Sequence, residues 1–296
     1  MNPYVGRLAP TPSGFLHKGH AFTFGIAYYR ARKIFRGNIQ LRIEDLDDLR
    51  CHSKYSRAIL EDLRWLGLIT DPCIDGGDEQ GVIYQSGRKH QYREYLKKWI
   101  QEKRIYPSDV SRKQLREFEG LRYSTQGEVV FPNSLRPDEP VDFSDFEESW
   151  YYRNWRWKVP DEAKVSFIDQ RSGLLSYDTG KDFGDFLVWT KSGVPSYEMA
   201  VVIDDICFGV TEVVRGEDLL VSTARQLLLY EALDRRAPEF FHCPLVKDEN
   251  GIRLAKSYDS ESIRAYRNQG YTPARFWLEM NDYGMGEAVD WLIKLN

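Results

Sequence analysis

The opening segment of this chain allows few folds. Val5 to Ala9 has the character of a short buried strand, and Pro10 and Pro12 stop it, because proline has no N–H to give a ladder. Ser13-Gly14 supplies a tight turn. From Gly19 to Phe35 the spacing becomes helical, with Phe22, Ile26, Tyr29 and Ile34 on or near one face, and Arg36-Gly37-Asn38 breaks it. Ile39-Gln40-Leu41-Arg42-Ile43 then alternates as a strand and runs into Glu44-Asp45. Strand, turn, helix and strand in that order make a βαβ unit, which needs a parallel sheet. The expected fold is therefore α/β: a Rossmann-like doubly wound parallel sheet, with an α+β insertion and a small C-terminal helical segment.

The rest of the chain fits that plan. Ser53 to Leu66 reads as a second amphipathic helix, and Arg88 to Lys103 as a third. From Tyr106 to about Gly173 the periodicity is poor, and the stretch is rich in Pro, Asp, Glu and aromatics. Strands are expected at Val165 to Asp169 and Asp185 to Thr190. Met199-Ala200-Val201-Val202-Ile203-Asp204-Asp205 reads as an apolar strand that stops at two carboxylates, and Val210 to Val214 as another strand. Thr223 to Leu233 is a helix with Ser222 as its N-cap; Phe240 to Val246 is the last strand. The end reads as two or three short helices, one begun by Thr272-Pro273. The expected domain plan is 1–105 for the first half of the sheet domain, 106–173 for the insertion, 174–247 for the second half, and 248–296 for a loop and the helical end.

Composition excludes several classes. The 296 residues are 42% hydrophobic and 14% aromatic, enough for a real core. Net charge is −4, no footprint of a general nucleic-acid binder, so a nucleic-acid partner would need a local basic face. The N-terminus shows no signal-peptide core, and no apolar run approaches the roughly 18 residues of a membrane span. A soluble, cytoplasmic monomer with no membrane partner is expected. Cys51, Cys73, Cys207 and Cys243 show no metal-ligand spacing, which predicts free thiols in a reducing compartment.

Two short segments carry the chemistry. After Arg7-Leu8-Ala9-Pro10-Thr11-Pro12-Ser13-Gly14 comes His17-Lys18-Gly19-His20, at a helix start beside the carboxyl edge of a sheet. Unpaired N–H groups and the helix dipole favour phosphate there. Gly19 lets a ligand approach the backbone. His17 and His20, three apart, can face one bound group, and their N–H donors suit charge building on an α-phosphate. Arg253-Leu254-Ala255-Lys256-Ser257 follows a strand on a Gly-containing loop, where a lysine can neutralise a pyrophosphate leaving group. A third stretch, Trp150 to Lys158, interleaves aromatics with cations. It reads either as a stacking surface for nucleic acid or as a strand with an aromatic core face.

The first two segments resemble the two signature sequences of class I aminoacyl-tRNA synthetases. Within that class, the Arg7–Gly14 stretch, Leu41-Arg42-Ile43-Glu44-Asp45-Leu46-Asp47, the run from Ala200 to Asp205, and Val214-Arg215-Gly216-Glu217-Asp218 resemble the glutamyl branch. The chain ends soon after the second signature, where a full glutamyl enzyme continues into an anticodon-binding domain. That resembles the glutamyl-queuosine tRNA(Asp) synthetases, free-standing cores that attach glutamate to queuosine in the anticodon loop.

The resemblance implies a set of roles. A dicarboxylic amino acid calls for two guanidiniums and one carboxylate. Arg7 is implied as partner of the side-chain carboxylate with Tyr197 donating a hydrogen bond, Arg215 as clamp of the α-carboxylate, and Glu44 as ammonium acceptor helped by Thr11, with Ala9 beside them. ATP falls to Pro12, Ser13, Gly14, His17, Gly19, His20, Arg253, Leu254, Lys256 and Ser257, of which His17, His20 and Lys256 are the catalytic set. L-glutamate attacks the α-phosphate of ATP, with Mg²⁺ on the phosphates, to give glutamyl-adenylate, and an acceptor hydroxyl then takes the glutamate. Relatives often build a zinc site just after the third helix, but no cysteine occurs from 74 to 206, so no zinc and no protein-held metal is expected. An adenylate-forming ligase with another acceptor, and a catalytically dead binding module, are the competing readings.

Overall fold

The computed structural model describes residues 3–72, 77–124, 127–139, 142–246 and 262–295. In chain order the first elements are β1 (Val5–Leu8), α1 (Lys18–Tyr29), β2 (Asn38–Ile43), α2 (Ser53–Trp65), β3 (Ile83–Tyr84) and α3 (Lys89–Gln101). There follow β4 (Ile105–Pro107), α4 (Arg112–Arg116), β5 (Arg122–Tyr123), β6 (Val129–Val130), β7 (Trp155–Trp157), β8 (Lys164–Asp169) and β9 (Gly173–Asp178). Then come β10 (Phe186–Thr190), β11 (Val194–Pro195), α5 (Tyr197–Cys207), β12 (Glu212–Gly216), α6 (Leu220–Ala232) and β13 (Glu239–Cys243). Three helices close the chain: α7 (Ile263–Asn268), α8 (Pro273–Glu279) and α9 (Glu287–Leu295). Among the described residues no helix is long and apolar enough to cross a membrane.

The chain divides into two compact units, the first made of Met1–Gly87, Phe208–Asp218 and Pro238–Asn296. Its strands are parallel. β1 pairs with β2 from Val5↔Asn38 to Leu8↔Leu41, and β2 pairs with β3. β12 pairs with β13 from Glu212↔Glu239 to Gly216↔Cys243. β12 lies beside β1, since the Thr211 N–H donates to the Val5 carbonyl at 2.9 Å and the Arg7 guanidinium reaches the Val214 carbonyl at 3.0 Å. The order is thus β3-β2-β1-β12-β13. The chain builds outward from β1 to β3, then returns to the other side of β1. In such sheets ligands sit at the carboxyl ends where the order reverses, here between β1 and β12.

Apolar residues on α1, β1, β2 and α2 form the core of this unit, together with Phe276, Trp277, Met280 and Leu292 from the C-terminal helices. Thr272 caps α8 by accepting from the Arg275 N–H, with Pro273 in the first turn, as expected. The buried Trp277 indole donates to the Leu66 carbonyl at 3.1 Å, so the end of the chain is fastened to the end of α2.

The second unit comprises Arg88–Cys207 and Leu219–Ala237. β11, β10, β7 and β4 form an antiparallel sheet in that order, and β8 and β9 form a hairpin. Two expectations are corrected here. Residues 199–205 are not a strand but the middle of α5. The helix is buried from Glu198 to Asp205, so even its polar residues Asp204 and Asp205 mark no solvent face, and its Val201-Val202-Ile203 run imitates a core strand. Asp204, within the helix, accepts from Arg88 Nε at 2.8 Å and from the Tyr92 hydroxyl at 2.9 Å. Nor does Ser222 cap a helix. α6 begins earlier, at Leu220, and the Ser222 hydroxyl donates to Glu198 at 2.8 Å.

A buried ionic centre ties the poorly periodic stretch to the start of β10. Asp185 accepts from the Tyr106 hydroxyl at 2.5 Å, from Arg136 Nε and Nη2 at 2.7 Å each, and from the Val159 N–H at 2.9 Å. Burial and the Asp185 charge hold the Tyr106 phenol well above its usual range. Trp155, Trp157 and Trp189 are buried in the same unit. Removing one partner of such a pair leaves an uncompensated charge. Asp185→Asn is therefore expected to cost about 3–5 kcal/mol, read as a fall in the urea midpoint.

Candidate active site

The helix start after β1 is built by its own histidines. His17 occupies the N-cap with extended backbone (φ −126°, ψ 176°), and its Nδ1 accepts from the Gly19 N–H at 3.1 Å. His20 Nδ1 accepts in turn from the His17 N–H at 3.2 Å, completing a capping box made of two imidazoles. The rings lie 3.9 Å apart. Because both Nδ1 atoms accept, each neutral ring carries its proton on Nε2. Two Nε2–H donors thus come preset at a helix start that has no acidic residue in its first turn, where the dipole favours an anion.

Gly19 serves the cap first. A Cβ at that position would stand 3.0 Å from His17 Cε1 and 3.1 Å from Nδ1, tighter than a relaxed contact allows. Lys18, between the histidines, turns away to Glu279 at 3.2 Å and lies 4.9 Å over the Tyr266 ring.

The preceding loop is stitched in place by its carbonyls. Pro10 O accepts from the Glu44 N–H at 3.0 Å, Thr11 O from the Ser13 N–H at 2.9 Å, and Pro12 O from the His52 N–H at 3.1 Å. Ala9 to Gly14 are thereby tied to the end of β2 and the start of α2. The carbonyl of Leu16 accepts from the Ile263 N–H at 2.8 Å, and His17 forms an isolated bridge with Ser262.

Three charged residues stand at the carboxyl ends of consecutive strands: Glu44 just past β2, Arg7 on β1 and Arg215 on β12. All three are buried: Arg7 is 6%, Glu44 9% and Arg215 5% exposed. Each has a named partner. Arg7 donates to Val214 O, the residue before Arg215, at 3.0 Å. Glu44 accepts from Arg42 Nη2 at 3.1 Å. Arg215 Nε donates to His242 Nε2 at 3.2 Å. A neighbouring guanidinium favours the charged form of a buried carboxylate. Cys51 donates its S–H to the Glu44 carbonyl at 3.8 Å, and burial pushes that thiol up, away from the thiolate.

Arg42 and His242 escaped sequence reasoning. Arg42 falls on the polar side of an alternating strand, which reads as solvent-facing, yet it is 1% exposed. His242 sits in an apolar strand and is 0% exposed. A polar residue inside an apolar run was the only signal for the latter.

The remaining expectations fall elsewhere. Tyr197 opens α5 in the second unit and is 38% exposed. Arg253, Leu254, Lys256 and Ser257 lie outside the described residues. In the Trp150 to Lys158 stretch, Trp155 and Trp157 are core, and Arg156 is held by Ser108 Oγ at 3.2 Å and the Asp185 carbonyl at 3.1 Å over the Phe131 ring. Burial lowers the Arg156 pKa, and the burial of Trp155 and Trp157 makes the aromatic face of this strand packing surface. Among the described residues no three His, Cys, Asp or Glu side chains group to hold a metal.

Comparison with known proteins follows the same lines. The family "tRNA synthetases class I (E and Q), catalytic domain" matches residues 4–290. The chain is 39% identical over 269 residues to a glutamyl-Q tRNA(Asp) synthetase of Symbiobacterium thermophilum, and 38% identical over 269 residues to one of Nitratidesulfovibrio vulgaris. These alignments cover 90% and 91% of this chain and 82% of each relative. A glutamate tRNA ligase from Elizabethkingia meningosepticum, solved with its amino acid, superposes with a TM-score of 0.77 at 27% identity, over 99% of this chain. The chain spans 64% of that ligase.

The cap makes a prediction. In ¹⁵N-labelled protein at neutral pH, His17 and His20 are both expected as Nε2–H tautomers. Gly19→Ala is expected to push the His17 ring off the helix end and lower stability by about 1 kcal/mol, the worth of an N-cap, measured by urea unfolding.

Proposed function

Because the chain belongs to the class I tRNA synthetases for glutamate and glutamine, we propose that it activates L-glutamate with ATP and transfers it to queuosine in the anticodon loop of tRNA(Asp). The observation that carries the activation step is the row Glu44, Arg7, Arg215 along three neighbouring strand ends, next to a helix start furnished with two N–H imidazoles. Arg7 and Arg215 supply two positive charges for a dicarboxylate, and Glu44 one negative charge for its ammonium. Thr11 completes the proposed set of glutamate contacts in this unit, with Ala9 lining it; Tyr197, which the resemblance also implies, lies in the second unit.

The steps then follow from charge. The α-carboxylate oxygen of glutamate attacks the α-phosphorus of ATP, the P–O bond to pyrophosphate breaks, and glutamyl-adenylate results. The Nε2–H groups of His17 and His20 meet the charge that builds on the α-phosphoryl oxygens, and the helix dipole adds to them. Lys256 takes the charge of the departing pyrophosphate. Mg²⁺ travels with ATP on its phosphates, the usual place for this ion in nucleotide sites. The acceptor hydroxyl next attacks the activated carbonyl and AMP leaves. No protein nucleophile is required; positioning and electrostatics supply the rate. The names of the two relatives at 38% and 39% identity support queuosine in tRNA(Asp) as the acceptor.

Three measurements test this. Protein, ATP, glutamate and labelled pyrophosphate, without tRNA, are expected to give exchange that depends on glutamate. Arg215→Ala is expected to lower kcat/KM for glutamate by at least about 30-fold, since truncating a buried charge partner costs roughly 2–5 kcal/mol. With labelled glutamate, queuosine-containing tRNA(Asp) is expected to be charged and unmodified tRNA(Asp) left blank. Equal charging of both would remove queuosine as the acceptor, and absence of exchange would remove the enzyme.

A further inference from the structure

We propose that His242 is a positioning residue for glutamate, an uncharged strut that aims the Arg215 guanidinium without neutralising it. This deepens the functional reading above and rests on it. Arg215 and His242 are register partners on β12 and β13. Arg215 Nε donates to His242 Nε2 at 3.2 Å, with the arginine 5% and the histidine 0% exposed. Phe240, two residues back on β13, has its ring nearly parallel to that of His242, at 6.1 Å and 17°. The guanidinium carbon stands 5.6 Å from the Phe240 centroid. An imidazole and a phenyl ring on one strand therefore frame the cation.

The choice of imidazole has a physical reason. Arginine has several side-chain torsions, and a guanidinium held by nothing presents its edges at random. An acceptor on Nε fixes the plane and turns the end-on Nη1–Nη2 edge into a defined fork for a two-oxygen group. A carboxylate could fix it equally well, but would cancel the charge the substrate needs. A neutral imidazole accepting through Nε2, with its proton on Nδ1, gives direction and leaves the charge. Glu44 shows the opposite case in the same unit, where Arg42 is the charged partner of the group in question.

The test uses two near-isosteric variants of the full-length protein in the glutamate-dependent pyrophosphate exchange. His242→Gln keeps an uncharged acceptor; His242→Glu keeps an acceptor and adds a negative charge. Gln is expected to hold the KM for glutamate within about 3-fold of the unaltered protein. Glu is expected to raise it about 10-fold or more, the effect of a charge-assisted hydrogen bond or better. The KM for ATP is expected to stay within about 2-fold in both. As a second readout, 4-aminobutyrate, which lacks the α-carboxylate, is expected to compete with glutamate equally well in all three proteins. Equal KM values for glutamate in the Gln and Glu variants, a matching rise in the KM for ATP, or a parallel loss of 4-aminobutyrate binding each overturns the role of His242. No glutamate-dependent exchange in the unaltered protein overturns the functional reading itself, and this role with it.

Discussion

Everything in the first unit depends on β12 finding β1 across two hundred residues of chain. The backbone bond from Thr211 to Val5 starts that junction, and Glu212 locks it. Its carboxylate, 3% exposed, accepts from the Tyr4 hydroxyl at 2.7 Å and from Arg30 Nε and Nη2 at 2.9 and 2.6 Å. Burial and the adjacent Glu212 charge push the Tyr4 phenol far above its ordinary range, so it stays a donor at any working pH. A buried ion pair is weak evidence for raw stability, but it penalises any register that leaves its members unmatched. A shift of β12 by one residue would turn Glu212 to the other face and carry Arg215 with it. The junction that sets register therefore also sets the site.

The same economy holds at the start of α1. Serine or aspartate would cap the helix as well, but neither offers a second N–H after capping. An imidazole has two nitrogens. One satisfies the backbone and the other is left in a known protonation state. Capping thus converts two residues with ambiguous tautomers into two oriented donors, and Gly19 is the small residue that leaves room for the first ring. Structure and chemistry draw on one geometry here, so a substitution aimed at either disturbs both.

The legible parts of this protein were those where local pattern and tertiary role agree. The opening βαβ unit, the Thr272 cap and the helices after Ser53 and Arg88 follow from period and capping signals that exposure to solvent on one side preserves. α5 failed because burial of its whole middle, Glu198 to Asp205, erases period. Ser222 failed because a hydroxyl suits a helix cap and a buried glutamate equally. Arg42 and His242 could not be found by alternation, which assumes that polar residues on a strand face water. Both sit near the carboxyl ends of β2 and β13, the strands flanking the pair where the sheet reverses, and there the polar face is interior. Resemblance located the charged groups; only the folded chain assigned their partners.

The second unit poses a different problem, which is how to hold together short strands and turns with poor periodicity. Asp185 is an anionic centre that gathers donors from β4 through Tyr106, from the turn at Arg136 and from the backbone at Val159. Arg136 extends the network to Asp161 at 2.9 Å and to the Val159 carbonyl at 2.7 Å. Such a centre is present as soon as the chain folds. A buried carboxylate must meet its guanidinium during folding, because either charge alone in that interior is strongly disfavoured. The aromatic core around Trp155, Trp157 and Trp189 is what brings the two together, so the tryptophans of this region act as the scaffold of an electrostatic joint as well as the filling of a core.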